Sequence, residues 1–464
     1  MEEAGRADGG WADVLGEGRL PLFILICLSV WVTAVDALIA TTIMPSVGRA
    51  LGGYGLFGWA TAGFLLASVV AGASSGLLAL RVGLRAGTAA AAMLYALGCA
   101  LSAAAPEIWT FLAGRVLQGL GGGWVAGFAS VAIGLLFPNR MLPRVYAAST
   151  SIWGVATLLG PMIGGVFADA GAWPWVFWTF ALQGVAVAIA AWVLLPKGAH
   201  GAGDDKVAWP QLALVLAGVA CIGVADLAGD FLRTALLTVA GVGLLLWMVR
   251  LDARSDARLL PLSTGDLRTI PGAGYASLFL LTAASMGLSV YGPAVLQTLH
   301  GLGALAAGYV IACEALVWTL AALPVSGLTG RWPTRLIRLG ALCVLGGVLL
   351  SAAAFPTWNV FGAAAAAALM GAGFGLSFSF TSQRILGVLS DEERAIGAAA
   401  VTTVRLTGSA AGAAMAAAVA NLVGFSQGLT EPVARATGFW IFVAAAPVAL
   451  LGVAAAWRLA RDQS

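Results

Sequence analysis

Long runs of apolar residues alternate with short polar segments along almost the whole chain. No charged residue lies in Ala50–Leu80, in Ala170–Pro196 or in Leu339–Gln383. A helix that crosses a bilayer needs about 20 apolar residues, so each run is long enough for one or two crossings. The runs are too long for membrane-spanning β-strands, which alternate apolar and polar residues over about 10 positions. The pattern therefore predicts an all-α polytopic membrane protein.

The polar segments divide these runs into about fourteen predicted spans. Six spans come first, near residues 20–44, 56–80, 86–105, 108–136, 145–169 and 174–195. Two more follow a polar linker, near residues 209–227 and 232–250. The last six follow a charged loop and lie near residues 271–298, 304–328, 334–355, 358–381, 395–423 and 437–458. The turn-forming triplet Phe355-Pro356-Thr357 separates the two spans of the longest uncharged run.

This order predicts a short N-terminal segment, two helical bundles and a linker between them. The predicted segments are residues 1–19, a six-helix bundle at 20–196, a linker with two extra transmembrane helices at 197–270, and a second six-helix bundle at 271–464. Two bundles of six helices are the parallel-repeat plan of a transporter whose site lies between the halves near the bilayer midplane. Glycine accounts for 62 of 464 residues, and small residues let helices pack closely in lipid. The organisation favours a secondary transporter.

Lysine and arginine are concentrated in alternate loops. With the N-terminus inside, the cytoplasmic loops carry Arg81, Arg85, Arg140, Arg144, Lys197, Lys206, Arg250, Arg254, Arg258, Arg268, Arg331, Arg335, Arg338, Arg384 and Arg394. The opposite loops carry only Arg49, Arg233 and Arg435. Because basic residues stay on the cytoplasmic side of a membrane, we predict cytoplasmic N and C termini in the inner (plasma) membrane.

Composition and charge exclude several other classes. Hydrophobic residues make up 60% of the chain and charged residues 10%, whereas soluble domains carry about 25% charged residues. The formal net charge is +3 and the basic residues are scattered singly, so we predict no nucleic-acid partner. There is no nucleotide-binding Gly-x-x-x-x-Gly-Lys-Ser/Thr motif. Since no nucleophile–base or metal-ligating constellation is present either, we predict no enzyme, no cofactor and no metal site.

Four charged residues lie inside predicted spans, where charge is costly and usually functional. Asp36 is past the middle of the first span, and a carboxyl group there can be neutral, or charged beside a cation, which is the choice that proton exchange requires. Arg115 lies at a similar depth in the fourth span and cannot lose its proton. We expect it to hold or release a carboxylate, or to orient Gln118. The structural alternatives are an aspartate that braces its helix and an arginine bonded to backbone carbonyls.

Glu314 and Arg405 lie near the middle of the tenth and thirteenth spans. One hypothesis is that the two side chains neutralise each other or other polar groups. The other is that Glu314 is a second protonatable site or accepts a cationic substrate. The sequence leaves both open.

Four motifs in order resemble a known family. They are Val35-Asp36 followed by Pro45 in the first span, RVLQGLGGG at Arg115–Gly123, GVATLLGPMIGG at Gly154–Gly165, and Leu296-Gln297 followed by Gly301 and Ala307-Gly308. Over nearly its whole length the chain resembles the major facilitator superfamily, and in particular its fourteen-span drug:proton antiporters. The resemblance implies two six-helix bundles with an extra two-helix hairpin between them, working by alternating access.

The resemblance also implies roles for particular residues. Asp36 would be the main proton-coupling carboxylate and Arg115 its electrostatic regulator. Glu314, Arg405, Gln118 and Gln297 are candidates for substrate binding or a second protonation. A proline interrupts helical hydrogen bonding, so the fifth-span motif would be a conformational hinge, made by Gly154, Gly160, Pro161, Gly164 and Gly165. The implied function is proton-coupled export of amphiphilic or cationic organic compounds by a monomer, with the substrate, protons and the lipid bilayer as partners.

One loop departs from the family's pattern. The loop after the second helix normally reads Gly, three residues, Asp, Arg, one residue, Gly, and here Leu80 stands in the acidic place. The candidate gate residues that remain are Gly76, Arg81, Gly83 and Arg85. The departure keeps a second hypothesis open, a dedicated and uncoupled exporter of one metabolite, lipid or siderophore. A non-transporting membrane receptor is the third, which a long soluble sensory domain would favour.

Overall fold

The computed structural model describes residue 16 and residues 18–138, 141–198, 206–224, 231–357 and 360–461. All regular secondary structure in this part of the chain is helical. The fourteen long helices described there are α1 (Leu20–Leu51), α2 (Trp59–Val82), α3 (Leu84–Ala103), α4 (Ile108–Leu136), α5 (Leu142–Asp169), α6 (Pro174–Leu194), α7 (Trp209–Val224), α8 (Phe231–Asp252), α9 (Ile270–Leu299), α10 (Ala304–Val325), α11 (Trp332–Thr357), α12 (Val360–Gly387), α13 (Asp391–Leu422) and α14 (Glu431–Leu459). Short 3₁₀ helices lie at Tyr54–Leu56, Leu262–Gly265 and Phe425–Gln427.

Among the described helices, 12 are long and apolar enough to cross a membrane. The two helices outside this set are α7, which has 16 residues, and α13, which is only weakly apolar because Gly, Ala and Thr dominate its sequence. The protein is therefore a multi-pass membrane protein. The predicted division at Phe355-Pro356-Thr357 is confirmed, because α11 ends at Thr357 and α12 begins at Val360.

The first helix extends further than the sequence pattern predicts. We expect the span to end near residue 44, before Pro45, but α1 continues to Leu51 with Pro45 inside it. A proline removes one backbone donor and does not by itself stop a helix whose neighbours pack around it. The helix ends instead at Gly52 and Gly53, whose φ angles of 67° and 70° are left-handed and typical of helix C-termini.

Glycine allows several helix pairs to touch backbone to backbone. A Cβ atom on Gly98 of α3 would lie 2.6 Å from the backbone N of Gln118 in α4. A Cβ on Gly373 of α12 would lie 2.5 Å from the carbonyl O of Gly340 in α11. Burial of apolar surface drives little association in lipid, so such close packing has to hold the helices together.

The described helices fall into two compact units. The first unit is Met1–Leu38, Ala67–Gly160 and Pro174–Val207. The second unit is Ile39–Leu66, Pro161–Trp173 and Ala208–Ser464. The second unit therefore contains α7–α14 together with the C-terminal parts of α1 and α5 and the N-terminal part of α2.

Within the second unit, the segment between α1 and α2 packs on the later helices. Phe57 stacks on Tyr291 of α9 with ring centroids 5.6 Å apart. Asn421 of α13 donates its side-chain N–H to the carbonyl of Gly55 at 2.7 Å. These contacts join residues that are far apart in the sequence, so they form only after most of the chain is in place.

Helices α7 and α8 pack against each other through Gly218 and Gly241, and α7 packs on α13. Val215 and Val219 of α7 are buried in one apolar cluster with Val401 and Ala410 of α13. The connector from α8 to α9 is fixed as well. The buried Asp252 carboxylate accepts backbone N–H groups of Leu259 at 2.8 Å and Leu260 at 2.9 Å, and Glu393 accepts from Arg258 at 3.2 Å.

Candidate functional site

Asp36 and Arg115 form an ion pair inside the first compact unit. Asp36 lies on α1 and Arg115 on α4, and the guanidinium Nη1 donates to the carboxylate Oδ1 at 2.9 Å. Each side chain is only 1% exposed. Charges so deeply buried stay ionised only when they are paired, so each group stabilises the charged form of the other.

Gln118 extends this pair into a network. Because Gln118 lies three residues after Arg115, both side chains emerge from the same face of α4, and Arg115 also donates to the Gln118 side-chain oxygen. Gln118 in turn donates to the carbonyl of Gly98 at 3.1 Å and to the hydroxyl of Ser102 at 2.8 Å, both on α3. The structure thus brings three predicted site residues together across α1, α3 and α4.

Two buried oxygens beside this network lack a partner. Among the described residues, neither Asp36 Oδ2 nor the Tyr95 hydroxyl makes a hydrogen bond. Tyr95 lies on α3, is 1% exposed, and its ring approaches Gly122 of α4, which also faces Thr33 one turn before Asp36. Oδ2 is therefore an acceptor that can take a proton without breaking an existing hydrogen bond. The sequence analysis did not identify Tyr95 as a site residue. A single tyrosine among small apolar residues of a span could have indicated a buried polar site.

In the described structure, Glu314 and Arg405 do not form an ion pair with each other. Among the described residues, neither side chain has an ion-pair partner within 4 Å, and both are partly exposed within the second unit. The Arg405 guanidinium lies instead over the ring of Phe378 on α12, 5.6 Å from its centroid. An aromatic face attracts a cation, so Arg405 uses α12 as its neighbour and leaves Glu314 free.

An aromatic cluster, made by Trp318, Phe374 and Phe378, lies next to Glu314. Trp318 follows Glu314 by four residues on α10, so the two share a helix face. Its ring stacks on Phe374 at 4.9 Å, inclined by 19°, and lies 5.6 Å from Phe378. A carboxylate beside stacked rings is a combination that binds flat or lipophilic cations.

The other substrate candidate, Gln297, lies on α9 in the second unit. Its side-chain nitrogen is buried and has no hydrogen-bond partner among the described residues. The structure therefore leaves a free donor there, and Gln297 does not belong to the hydrogen-bonded network of Asp36 and Arg115.

In the fifth-helix motif, Gly154 has open space beside it, whereas Gly164 and Gly165 are closely packed against other helices. A Cβ on Gly154 would meet nothing within 4 Å, whereas one on Gly164 would lie 3.1 Å from Ile39 of α1. Pro161 faces Gly308 of α10, whose Cβ would lie 2.9 Å from the proline ring. Gly165 lies directly against the backbone of Leu305 in α10. Gly160, Pro161, Gly164 and Gly165 all lie inside α5, which continues past the proline to Asp169.

Asp169, the last residue of α5, completes the contact with α10. Its carboxylate accepts the backbone N–H groups of Ala304 at 2.6 Å and Leu305 at 3.2 Å. Gly303, the residue before α10, supplies no side-chain cap of its own. Asp169 therefore satisfies the first donors of α10 and places negative charge at the positive end of that helix. We call Gly165, Asp169, Ala304 and Leu305 the α5–α10 seal.

The candidate gate residues lie where α2 meets α3 in the first unit. Gly76 and Arg81 are on α2, and Gly83 joins the two helices with a φ of 80°. Arg85, in the first turn of α3, stacks on Trp192 of α6 at 4.7 Å. With Leu80 in the acidic place, Arg85 packs on an aromatic ring of its own unit.

Comparison with known sequences settles the family. The sequence model of the Major Facilitator Superfamily matches residues 26–413. The chain belongs to the Major Facilitator Superfamily. A protein of Mycobacterium tuberculosis (strain H37Rv) named a probable multidrug-efflux transporter is 30% identical over 474 residues, covering 99% of this chain and 98% of its own length. The multidrug transporter protein MdtP of Bacillus subtilis is 24% identical over 414 residues, covering 87% and 75%.

Solved structures show the same fold. A bacterial homologue of the human lysosomal transporter Spinster, in an inward-facing and unoccupied conformation, matches with a TM-score of 0.68 at 14% identity, over 96% of this chain and 97% of its own. A D-xylose–proton symporter matches with a TM-score of 0.63 at 16% identity, over 92% and 97%. Membership of this superfamily confirms the prediction of a secondary transporter of small molecules and not an enzyme.

Proposed function

We propose that this major facilitator protein is a proton-coupled exporter of amphiphilic or cationic organic compounds. The observation that carries the proposal is the buried pair of Asp36 and Arg115, in which one carboxylate oxygen is held and the other is unpartnered. The two relatives described above are named for multidrug efflux or transport, which supports the choice of substrate class. We place the protein as a monomer in the plasma membrane, with both termini in the cytoplasm.

The geometry of the pair supports proton coupling. A proton on Oδ2 of Asp36 removes the charge that holds Arg115, and the guanidinium then keeps Gln118 as its acceptor. Release of the proton restores the pair. The protein thus has two electrostatic states of the same residues, and protonation selects between them.

Glu314 is the residue we propose for substrate charge. Its carboxylate has no ion-pair partner in the described structure, and the aromatic cluster offers a flat apolar surface beside it. Gln297 adds a free hydrogen-bond donor. Arg405 places a positive charge over Phe378, at one side of the aromatic cluster. A lipophilic cation satisfies the carboxylate and the rings together.

Movement of the α5–α10 seal is the step that we propose for alternating access. The seal joins a helix of the first six to a helix of the last six, with Gly154, Gly160, Pro161, Gly164 and Gly165 giving α5 the freedom to bend. The contacts on either side of Asp169 break and re-form as the substrate site opens and closes.

An uncoupled exporter of one compound is a second candidate function, favoured by one observation. Leu80 stands in the acidic place of the gate loop, and Arg85 packs on Trp192. A loop without the acidic residue lacks one charge contact that a coupled gate uses. Independence of transport from the proton gradient would establish this candidate.

In proteoliposomes with an inward proton gradient, we expect wild-type protein to export cationic compounds uphill and Glu314→Gln to lose them selectively. Loss of a hydrogen bond to a charged group weakens binding by about 1.5–3 kcal/mol, or about 10- to 150-fold, while neutral amphiphiles keep wild-type export. The measurements are substrate flux and binding affinity for matched cationic and neutral compounds. Glu392→Gln, at the exposed start of α13, is the control. A folded Glu314→Gln protein with an unchanged substrate range contradicts the role of Glu314.

We also propose fourteen spans, with the α7–α8 hairpin crossing the membrane, and a cysteine at Arg233 tests this. Arg233 is exposed near the start of α8 and makes no side-chain hydrogen bond or ion pair in the described structure, whereas Asp230 lies outside the described residues. On a background without native cysteines, Arg233→Cys is expected to react with an impermeant maleimide added outside intact cells. Arg331→Cys, in a predicted cytoplasmic loop, is the control that should react only in inverted vesicles. Reaction of Arg233→Cys from the cytoplasmic side alone reduces the count to twelve.

A further inference from the structure

The start of α9 and the end of α14 lie side by side within the second unit. Gly274 of α9 faces Leu459 of α14, and Leu281 of α9 faces Gly452 of α14. The residue numbers rise on one helix as they fall on the other, so the helices are antiparallel. Both are candidate spans, and Ile270 and Leu459 therefore reach the same surface of the membrane.

A basic cleft of about 330 Å³ opens at this point. It is lined by Leu267, Arg268, Ile270, Arg458 and Arg461. The three arginines are exposed, and none has an ion-pair partner within 4 Å in the part of the chain that the structure describes. The neighbouring Asp266 accepts the backbone N–H of Arg268 at 2.8 Å and does not pair with its guanidinium.

Two further arginines, Arg338 and Arg384, donate to backbone carbonyls at the end of α14. Arg338 donates to the carbonyl of Ala460 and Arg384 to that of Arg461, each at 2.7 Å. These bonds occupy the carbonyls of Ala460 and Arg461, directly after α14. The Nε–H groups of Arg338 and Arg384 are themselves buried without a partner among the described residues. Several positive charges gathered in one place repel one another unless an anion joins them.

We propose that the basic cleft binds the headgroup phosphate of an anionic phospholipid. The planar guanidinium matches phosphate oxygens with paired hydrogen bonds, and three of them surround the cleft. Leu267, which is 49% exposed, and Ile270 supply apolar surface for the glycerol and the first acyl carbons. The position at the ends of two spans puts the cleft at headgroup depth, where basic side chains attract anionic lipids. This site is independent of the transport function proposed above.

The test compares two double variants of the full-length protein in neutral detergent. Arg458→Gln/Arg461→Gln removes two guanidiniums from the cleft. Arg233→Gln/Arg331→Gln removes two exposed arginines elsewhere that make no side-chain hydrogen bond or ion pair in the described structure. Native mass spectrometry measures bound phosphatidylglycerol, with phosphatidylcholine and inorganic phosphate as separate arms, and the melting temperature with each additive is recorded in parallel.

We expect wild type and the control variant to retain phosphatidylglycerol and to melt at a higher temperature with it. The cleft variant should bind it roughly 30-fold more weakly, since each basic residue near a membrane surface contributes about 1 kcal/mol. Arg458→Lys/Arg461→Lys, which keeps the charge, should retain most of the binding. Equal retention by the cleft variant and the control overturns the proposal. Equal stabilisation by inorganic phosphate makes the cleft a free-phosphate site and also overturns it, as does equal binding of phosphatidylcholine.

Discussion

Asp36→Asn is expected to abolish proton-driven uphill export, so that the substrate reaches the same concentration on both sides of the membrane. Asparagine keeps the shape of the side chain but cannot take up and release a proton. The measurement is accumulation in proteoliposomes across several values of pH, together with downhill flux. Normal concentrative export by the variant would remove Asp36 as the coupling residue. Glu107→Gln, an exposed carboxylate at the start of α4, is the matched control and should export normally.

Stability separates a coupling role from a structural one. Asp36→Asn is also expected to lower stability, because Asp36 accepts a 2.9 Å bond from Arg115. Asparagine leaves the guanidinium buried and uncompensated, which costs about 3–5 kcal/mol in soluble proteins. The double variant Asp36→Asn/Arg115→Gln should recover much of the thermal stability, a non-additive cycle, and should still fail to export uphill. Recovery of both properties would mean that the pair only braces the fold.

Gly165→Ala is expected to reduce transport strongly, while Gly154→Ala in the same motif leaves it near wild type. A Cβ on Gly165 overlaps the backbone of Leu305, which cannot rotate away, whereas a Cβ on Gly154 meets nothing within 4 Å. Overpacking costs about 1–3 kcal/mol. Because this cost falls only on the state with the α5–α10 seal formed, the population of that state should fall by about 5- to 150-fold.

The measurement is substrate flux combined with the distance between spin labels at Val166 of α5 and Ala306 of α10, both exposed. The Gly165→Ala protein should show a longer mean distance, and the Gly154→Ala protein the wild-type distribution. Unchanged flux and distance in Gly165→Ala would show that the seal is not part of the transport cycle. A misfolded protein is recognised by its elution profile, and Gly308→Ala, whose Cβ would lie 2.9 Å from Pro161 across the same two helices, then serves as the second variant.

Most of the helices could be predicted because lipid imposes a simple rule. An uncharged run such as Leu339–Gln383 leaves the backbone no partner except itself, so it must be helical. The depth of Asp36 and Arg115 was readable for the same reason, since a charge within such a run is costly. The end of α1 was not, because whether Pro45 stops a helix depends on the helices packed around it.

Contacts between distant residues escaped sequence reasoning. Arg115 and Asp36 are separated by 79 positions. Their similar depth in the membrane is compatible with an ion pair but does not establish one. Glu314 and Arg405 lie at similar predicted depth, yet Arg405 packs on Phe378 and not on Glu314. The orientation of a helix about its axis decides which neighbour a side chain contacts. Asp169 ends the predicted span 145–169 and was not singled out, since its acceptor role depends on the donors of α10, a helix that begins 135 residues later.

The packing of α7 on α13 has a consequence for how the protein is made. Helix α13 is too weakly apolar to be counted among the candidate spans, so lipid alone gives it little reason to enter the bilayer. Its buried face meets α7 and α9, and both are translated before it. Synthesis proceeds from the N-terminus at about 5–20 residues per second, which leaves time for the earlier helices to settle. Helix α13, the least apolar of the long helices, is therefore synthesised last but one, after the helices against which it packs.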